Sequence, residues 1–137
     1  MEARRPRVIV ADTNVLVQFV FDEGSISGGV MLRDADWIAP GLWRSEFRSA
    51  LSGMIRVGGL SPQAAVEAFE RARAIVALEP EPDTPAIVRL LLESRCTAYD
   101  LEFVAIALAL NVPLVTNDKQ VLAEFPGTAI SPEAFAA

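Results

Sequence analysis

The run Val8-Ile9-Val10-Ala11-Asp12-Thr13-Asn14-Val15-Leu16 decides how this chain is read. Val8 to Ala11 is apolar and β-branched with no helical period, the pattern of a buried strand. The strand ends on an acid, Asp12, and the polar pair Thr13-Asn14. Beyond them Val15, Leu16, Val17, Phe19, Val20 and Phe21 predict a helix. A charge at the end of a buried strand is costly to desolvate unless something compensates it. Open α/β sheets bind ligands beyond the carboxyl ends of their strands, near the point where strand order reverses. Asp12 is therefore the first candidate for chemistry.

Outward from this run, short apolar segments alternate with helical patterns. Asp36-Trp37-Ile38-Ala39-Pro40 reads as a second strand, stopped by Pro40-Gly41. From Leu42 to about Val57 the period is helical, with Phe47, Ala50, Leu51, Met54 and Val57 on one stripe. Gly58-Gly59 ends it. Ser61-Pro62 supplies an N-cap and a first-turn proline for a helix from Gln63 to about Val76. An extended piece is expected from Leu78 to Pro82, and Asp83 caps a helix to about Ser94. Another helix is expected from Thr97 or Ala98 through Leu110, with Leu101, Val104, Ala105, Leu108 and Ala109 inward and Asn111 closing it. Val112 to Thr116 reads as a buried strand, Asp118 to Glu124 as a short helix and Ala129-Ile130 as a weak extended piece. Such alternation marks an α/β domain with a mainly parallel sheet. No repeat, low-complexity segment or linker interrupts it, so residues 1–137 are expected to form a single domain.

The chain has one cysteine, Cys96, and no histidine. An internal disulfide is excluded, and so is a zinc site on the usual nitrogen and sulfur ligands. Cys96 reads as a small core or helix-end residue. The absence of histidine also removes the commonest general base and every serine or cysteine triad built on it. The longest strongly apolar stretch, Phe103 to Leu110, is far short of a membrane span. The basic start, Met1 to Arg7, runs directly into the first strand, without the apolar run of a secretory signal, so a cytoplasmic location is expected. Net charge is −6, the wrong sign for holding phosphates through lysine and arginine. A cation between the acids and the ligand would resolve that conflict.

Asp12, Glu46, Asp100 and Asp118 are the acids that could hold such a cation if the fold brought them together. Asp118 follows the strand Leu114 to Thr116 as Asp12 follows the first. Asp100 opens its helix, and Glu46 lies in the first turns of the helix after Pro40. Acids in first helical turns are also favoured by the helix dipole alone, so both keep a structural reading beside the functional one. Converging carboxylates raise one another's pKa unless a divalent cation neutralises them. Oxygen-only ligands suit magnesium or manganese. Such a metal makes an acidic pocket a receptor for phosphate oxygens and activates water. The chemistry that fits is phosphodiester hydrolysis.

The segments Val8-Ile9-Val10-Ala11-Asp12-Thr13-Asn14-Val15-Leu16, Leu42-Trp43-Arg44-Ser45-Glu46-Phe47-Arg48, Ala98-Tyr99-Asp100 and Leu114-Val115-Thr116-Asn117-Asp118 resemble the acidic motifs of PIN domains. Order, spacing and the element ending each motif all match, over about Arg7 to Ile130. The chain is similar in particular to the VapC toxins of bacterial and archaeal toxin–antitoxin pairs. The resemblance implies a three-layer α/β/α PIN-like fold around a short, mainly parallel sheet, and a magnesium- or manganese-dependent endoribonuclease. It makes Asp12, Glu46, Asp100 and Asp118 the metal-binding, catalytic acids. Thr116 matches the family's hydroxyl residue two positions before the last acid, and Asn14 the small polar residue after the first. It further implies an RNA substrate, a cognate antitoxin and a homodimer.

Asn14 and Thr116 have two open readings, direct contact with substrate or local turn and cap hydrogen bonding. Arg56 shares a helical stripe with Ser45, Ser49 and Ser52 beside Glu46 and is a candidate for the RNA backbone. Arg44 and Arg48 point about 160° away at about 100° per residue. Lys119, beside Asp118, is a second phosphate candidate. Glu102 faces another side of its helix from Asp100. Trp37, Trp43 and Tyr99 are read as packing residues rather than as base-stacking platforms. Two rival functions stay open, a catalytically silent PIN-like binding module and a phosphatase with Asp12 as covalent nucleophile. Against the second, Asn14 stands where another acid would be expected.

Overall fold

The structure, a computed structural model, describes residues 7–137; the rest of the basic start, residues 1–6, lies outside them. Strand β1 (Val8–Ala11) leads into helix α1 (Thr13–Asp22), a 3-10 turn (Glu23–Ser25), α2 (Gly29–Arg33) and β2 (Asp36–Ile38). Helices α3 (Trp43–Arg56) and α4 (Pro62–Ile75) precede β3 (Val76–Leu78). Then come α5 (Thr84–Glu93), α6 (Ala98–Leu110), β4 (Leu114–Val115), α7 (Lys119–Glu124), β5 (Ala129–Ile130) and α8 (Pro132–Ala136).

The sheet order is β3-β2-β1-β4-β5, and every neighbouring pair is parallel. From β1 the chain steps outward through β2 to β3, then returns past β1 to β4 and β5. Right-handed crossovers in opposite directions put their helices on opposite faces. Helices α1, α3 and α4 accordingly pack on one another, while α6 lies on β1 and β4 with α5 against it. This is the expected three-layer α/β arrangement. Strand order reverses between β1 and β4, so Asp12 and the Thr116–Asp118 segment leave the sheet side by side.

The central strands are short and wholly apolar because helices cover both faces. Ile9, Val10, Leu114 and Val115 are fully buried. Beside them, Trp43 packs between Phe47 and Phe69, with ring centroids 6.0 and 5.3 Å away. Each buried indole N–H has an acceptor, as burial demands. Trp37 donates to the Leu32 carbonyl at 2.8 Å and Trp43 to Glu79 Oε1 at 2.6 Å.

Several helix faces differ from the expected ones. On α3 the buried side chains are Trp43, Phe47 and Leu51, whereas Ala50 and Met54 are half-buried. Val57, at the C-cap, is 91% exposed because the helix has ended. On α6 the predicted inward residues Leu108 and Ala109 are exposed, and Phe103, Ile106 and Ala107 are buried in their place. The body of α6 is enclosed by the sheet and α5, and its last turn runs out toward Asn111 in a left-handed conformation. The extended piece expected at Leu78 to Pro82 pairs earlier, as β3, because Pro80 and Pro82 lack the N–H a ladder needs. Of the aromatics read as packing, Trp37 and Trp43 are buried but Tyr99 is 62% exposed. Among the described residues no helix is long and apolar enough to cross a membrane.

The revised α6 face makes a direct prediction. Phe103→Ala should destabilise by about 3–5 kcal/mol through the cavity it leaves. Leu108→Ala should stay within roughly 1 kcal/mol, near the range for exposed positions. Urea unfolding followed by circular dichroism measures both, and equal losses would contradict the placement of Leu108.

Candidate active site

Asp12 is set by the end of β1. Its backbone N–H reaches the Val115 carbonyl of β4 at 3.0 Å, so the strand pairing itself holds the residue. Its carboxylate caps α1, accepting the Thr13 N–H on Oδ1 at 2.8 Å. On Oδ2 it accepts the Thr116 hydroxyl at 2.8 Å. Thr116 is fully buried, and its oxygen also accepts the Asp118 backbone N–H at 3.0 Å. One hydroxyl therefore links the acids that end β1 and follow β4.

The other acids are placed by helix starts. Asp118 is the N-cap of α7, its Oδ1 accepting the N–H groups of Gln120 and Val121 at 2.9 and 3.1 Å. Asp100 forms a reciprocal capping box with Thr97 at the start of α6. Because α6 feeds β4 from the far end, this start lies toward the carboxyl end of the sheet. Glu46, in the first turns of α3, accepts the Thr13 hydroxyl on Oε1 at 2.8 Å. Thr13 thus holds Asp12 by its backbone and Glu46 by its side chain. For Glu46, Asp100 and Asp118, one carboxylate oxygen is engaged by these bonds and the other has no hydrogen-bond partner among the described residues.

The electrostatics record the convergence. Burial pushes the Asp12 carboxyl above its ordinary range, against the Thr116 and Thr13 hydrogen bonds, and the charges of Asp100 and Asp118 push it further. Glu46 is raised by burial first, opposed by the Thr13 hydroxyl, and then by Asp12, Asp100 and Glu102. Glu102, which faces another side of its helix from Asp100, adds its charge to Glu46 from outside the four acids, and is itself raised by burial and by Glu81. Asp12 thus feels the charges of Asp100 and Asp118, and Glu46 those of Asp12 and Asp100. Yet among the described residues no three acidic, histidine or cysteine side chains are gathered tightly enough to hold a metal ion. The donor set nonetheless suits a hard divalent cation, being all oxygen, strongly anionic and supplied with unengaged carboxylate oxygens.

The remaining site candidates fall into two groups. Asn14 belongs to the acid network, donating to Thr116 Oγ1 at 3.5 Å and accepting the Asn117 N–H at 3.0 Å. Lys119 is exposed at the first position of α7, next to Asp118. Arg56 is exposed at the last position of α3, ten residues and about 15 Å along the axis from Glu46. Thr13 was not singled out by sequence reasoning, although its place directly after Asp12 was the available signal. Nothing in the linear pattern pairs it with Glu46.

The PIN domain family's sequence model matches residues 9–127, a span containing all four acids. Among solved structures, the crystal structure of PAE2754 from Pyrobaculum aerophilum superposes with a TM-score of 0.77 over 96% of this chain and 96% of that one. The two are 21% identical, so the likeness concerns the fold. No curated protein matches the chain.

The raised Asp12 carboxyl sets a pH dependence for the metal-free protein. Its folded pKa lies above the unfolded value of about 4, so folding takes up a proton. That contribution is fully present below about pH 4 and is lost as pH rises through the raised value. Asp12→Asn keeps an acceptor for the Thr13 N–H and cannot ionise. Melting in chelator at steps from pH 4 to 7.5 should show the wild type losing ground to Asp12→Asn as pH rises. Parallel curves would contradict the raised carboxyl.

Proposed function

The chain belongs to the PIN domain family, which carries a nuclease-type function, and from that premise we propose that it is a metal-dependent endoribonuclease serving as the toxin of a toxin–antitoxin pair. The observation that carries this reading is the linked acid network at the switch point. Thr116 joins Asp12 to Asp118, and Thr13 joins Asp12 to Glu46. Asp12, Glu46, Asp100 and Asp118 are the catalytic acids in this reading and would hold magnesium or manganese. The bound ion supplies Lewis acidity at a phosphate oxygen and a more acidic water.

The chain's own residues orient and constrain. Asp12 is desolvated and held at both oxygens, so it cannot turn away from the site. Asn14 and Thr116 act as positioning residues, because their polar atoms bind the acid network itself. Lys119 offers a cation to an RNA phosphate beside Asp118, whereas Arg56 serves RNA only beyond the cut site, given its distance along α3. With no histidine in the sequence, the proton lost by an attacking water passes to a carboxylate or to solvent.

The same reading extends to partners. A metal-free acidic site attracts positive charge, so a cognate antitoxin would offer an arginine or lysine there. The exposed apolar side chains Val57, Val66, Leu78 and Leu92 supply surface for the antitoxin or for a second copy in a homodimer. The proposed location is the cytoplasm.

Asp12→Asn should lower manganese-dependent cleavage of RNA by about a hundredfold or more, the scale of losing one essential polar contact. Near-normal cleavage by the pure variant would sink the mechanism. Asp118→Asn should keep the α7 cap, since asparagine caps as well as aspartate. It should, however, gain far less than the roughly 2.7 kcal/mol that manganese at a hundred times its dissociation constant adds to the wild type. Thermal melts with chelator and with manganese compare them, and equal gains would remove Asp118 from the ligand set. Co-expression with an adjacent reading frame should yield a complex with suppressed cleavage. A complex as active as the free protein would count against the toxin role.

A further inference from the structure

We propose that Glu79 is a positioning residue for Glu46, a clamp that ties the first turn of α3 to the end of the sheet. This rests on the reading of Glu46 as a metal-holding acid. Among the described residues, α3 is the one helix of ten or more residues whose N-cap side chain makes no capping bond. Leu42 occupies that cap and has nothing to offer. The constraint comes instead from outside the helix. Glu79 Oε1 accepts the Trp43 indole N–H at 2.6 Å and the Arg44 Nε–H at 2.8 Å, and Oε2 accepts from the Arg44 guanidinium at 3.2 Å. Trp43 and Arg44 are the first two residues of α3.

Both ends of this clamp are anchored. Glu79 directly follows β3, whose last residue, Leu78, gives its carbonyl to the Ala39 N–H at 3.2 Å. Trp43 is fully buried, with its ring stacked on Phe69 and edge-on to Phe47. The indole cannot turn to another acceptor without breaking that packing. Glu46 sits one turn beyond Trp43 on the same helix, so the angle of the first turn sets where its carboxylate goes. Thr13 grips only Oε1 of Glu46. The clamp governs the approach of the whole residue, Oε2 included. An exposed ion pair alone adds little; here the pair is bidentate and shares its oxygen with a buried donor.

The test is calorimetric titration of manganese alone into RNA-free protein, with folding of each variant checked by circular dichroism. Glu79→Ala should weaken manganese binding by about tenfold, the lower end of what outer-sphere partners contribute to metal sites. In a Glu46→Gln background the same substitution should change affinity by less than about twofold, because it acts through the acid already removed. Trp43→Phe leaves an aromatic ring in that place, though a smaller one, and loses the donor, so it should weaken binding in the same direction. If Glu79→Ala does not fold, Trp43→Phe decides the matter when compared in the wild-type and Glu46→Gln backgrounds. Unchanged affinity in Glu79→Ala or, should that variant not fold, in Trp43→Phe would overturn the proposal. So would an equal loss in both backgrounds, which would mean Glu79 supports the fold at large. A wild type that binds no manganese would overturn the metal-site reading itself, and this inference with it.

Discussion

The site depends on one carboxylate taken out of water. Asp12 sits at the end of a buried strand, where an unpaired charge would be prohibitive. It is tolerated because the Thr13 N–H and the Thr116 hydroxyl meet its two oxygens. Thr116 can do so only because β4 lies parallel to β1 with Ala11 opposite Val115. A one-residue slip of β4 would turn Thr116 to the other face of the sheet. The register of the central strands and the placement of the charge are therefore a single constraint.

The structural and functional readings of the acids are not rivals. Asp12, Asp100 and Asp118 each start a helix, and the helix N-termini offset part of their mutual repulsion. A carboxylate has more lone pairs than a cap consumes, so capping aims one oxygen and leaves the other unengaged in Asp100 and Asp118. Glu46 is the exception. It caps nothing, and its orientation comes from Thr13 and from the way α3 is seated on its aromatic cluster.

Most elements were legible because their signals are local. Ser61-Pro62, Asp83 before Thr84-Pro85, and Asn111 mark helix ends by short-range chemistry, and each acts as such. The α6 face was misjudged because that helix is apolar nearly all round, leaving no period to show which side faces inward. Val57 continued the α3 stripe in sequence after the helix itself had ended. The short helices α2 and α8 drew no reading, although Ser131-Pro132 repeats the signal that begins α4.

By itself the sequence determined the alternating α/β order, the four acids as candidates and the exclusion of histidine, disulfide and nitrogen–sulfur zinc chemistry. These follow from composition and from patterns a few residues long. Only the tertiary structure decided that Thr116 serves Asp12 across 104 positions, that Thr13 reaches Glu46 across 33, and that Arg44 is bound to Glu79 rather than open to a ligand. It also separated Lys119, beside the acids, from Arg56 at the far end of its helix. The reason is that partners so distant in sequence meet through sheet order and helix seating, which the packing of the whole core sets and no local pattern encodes.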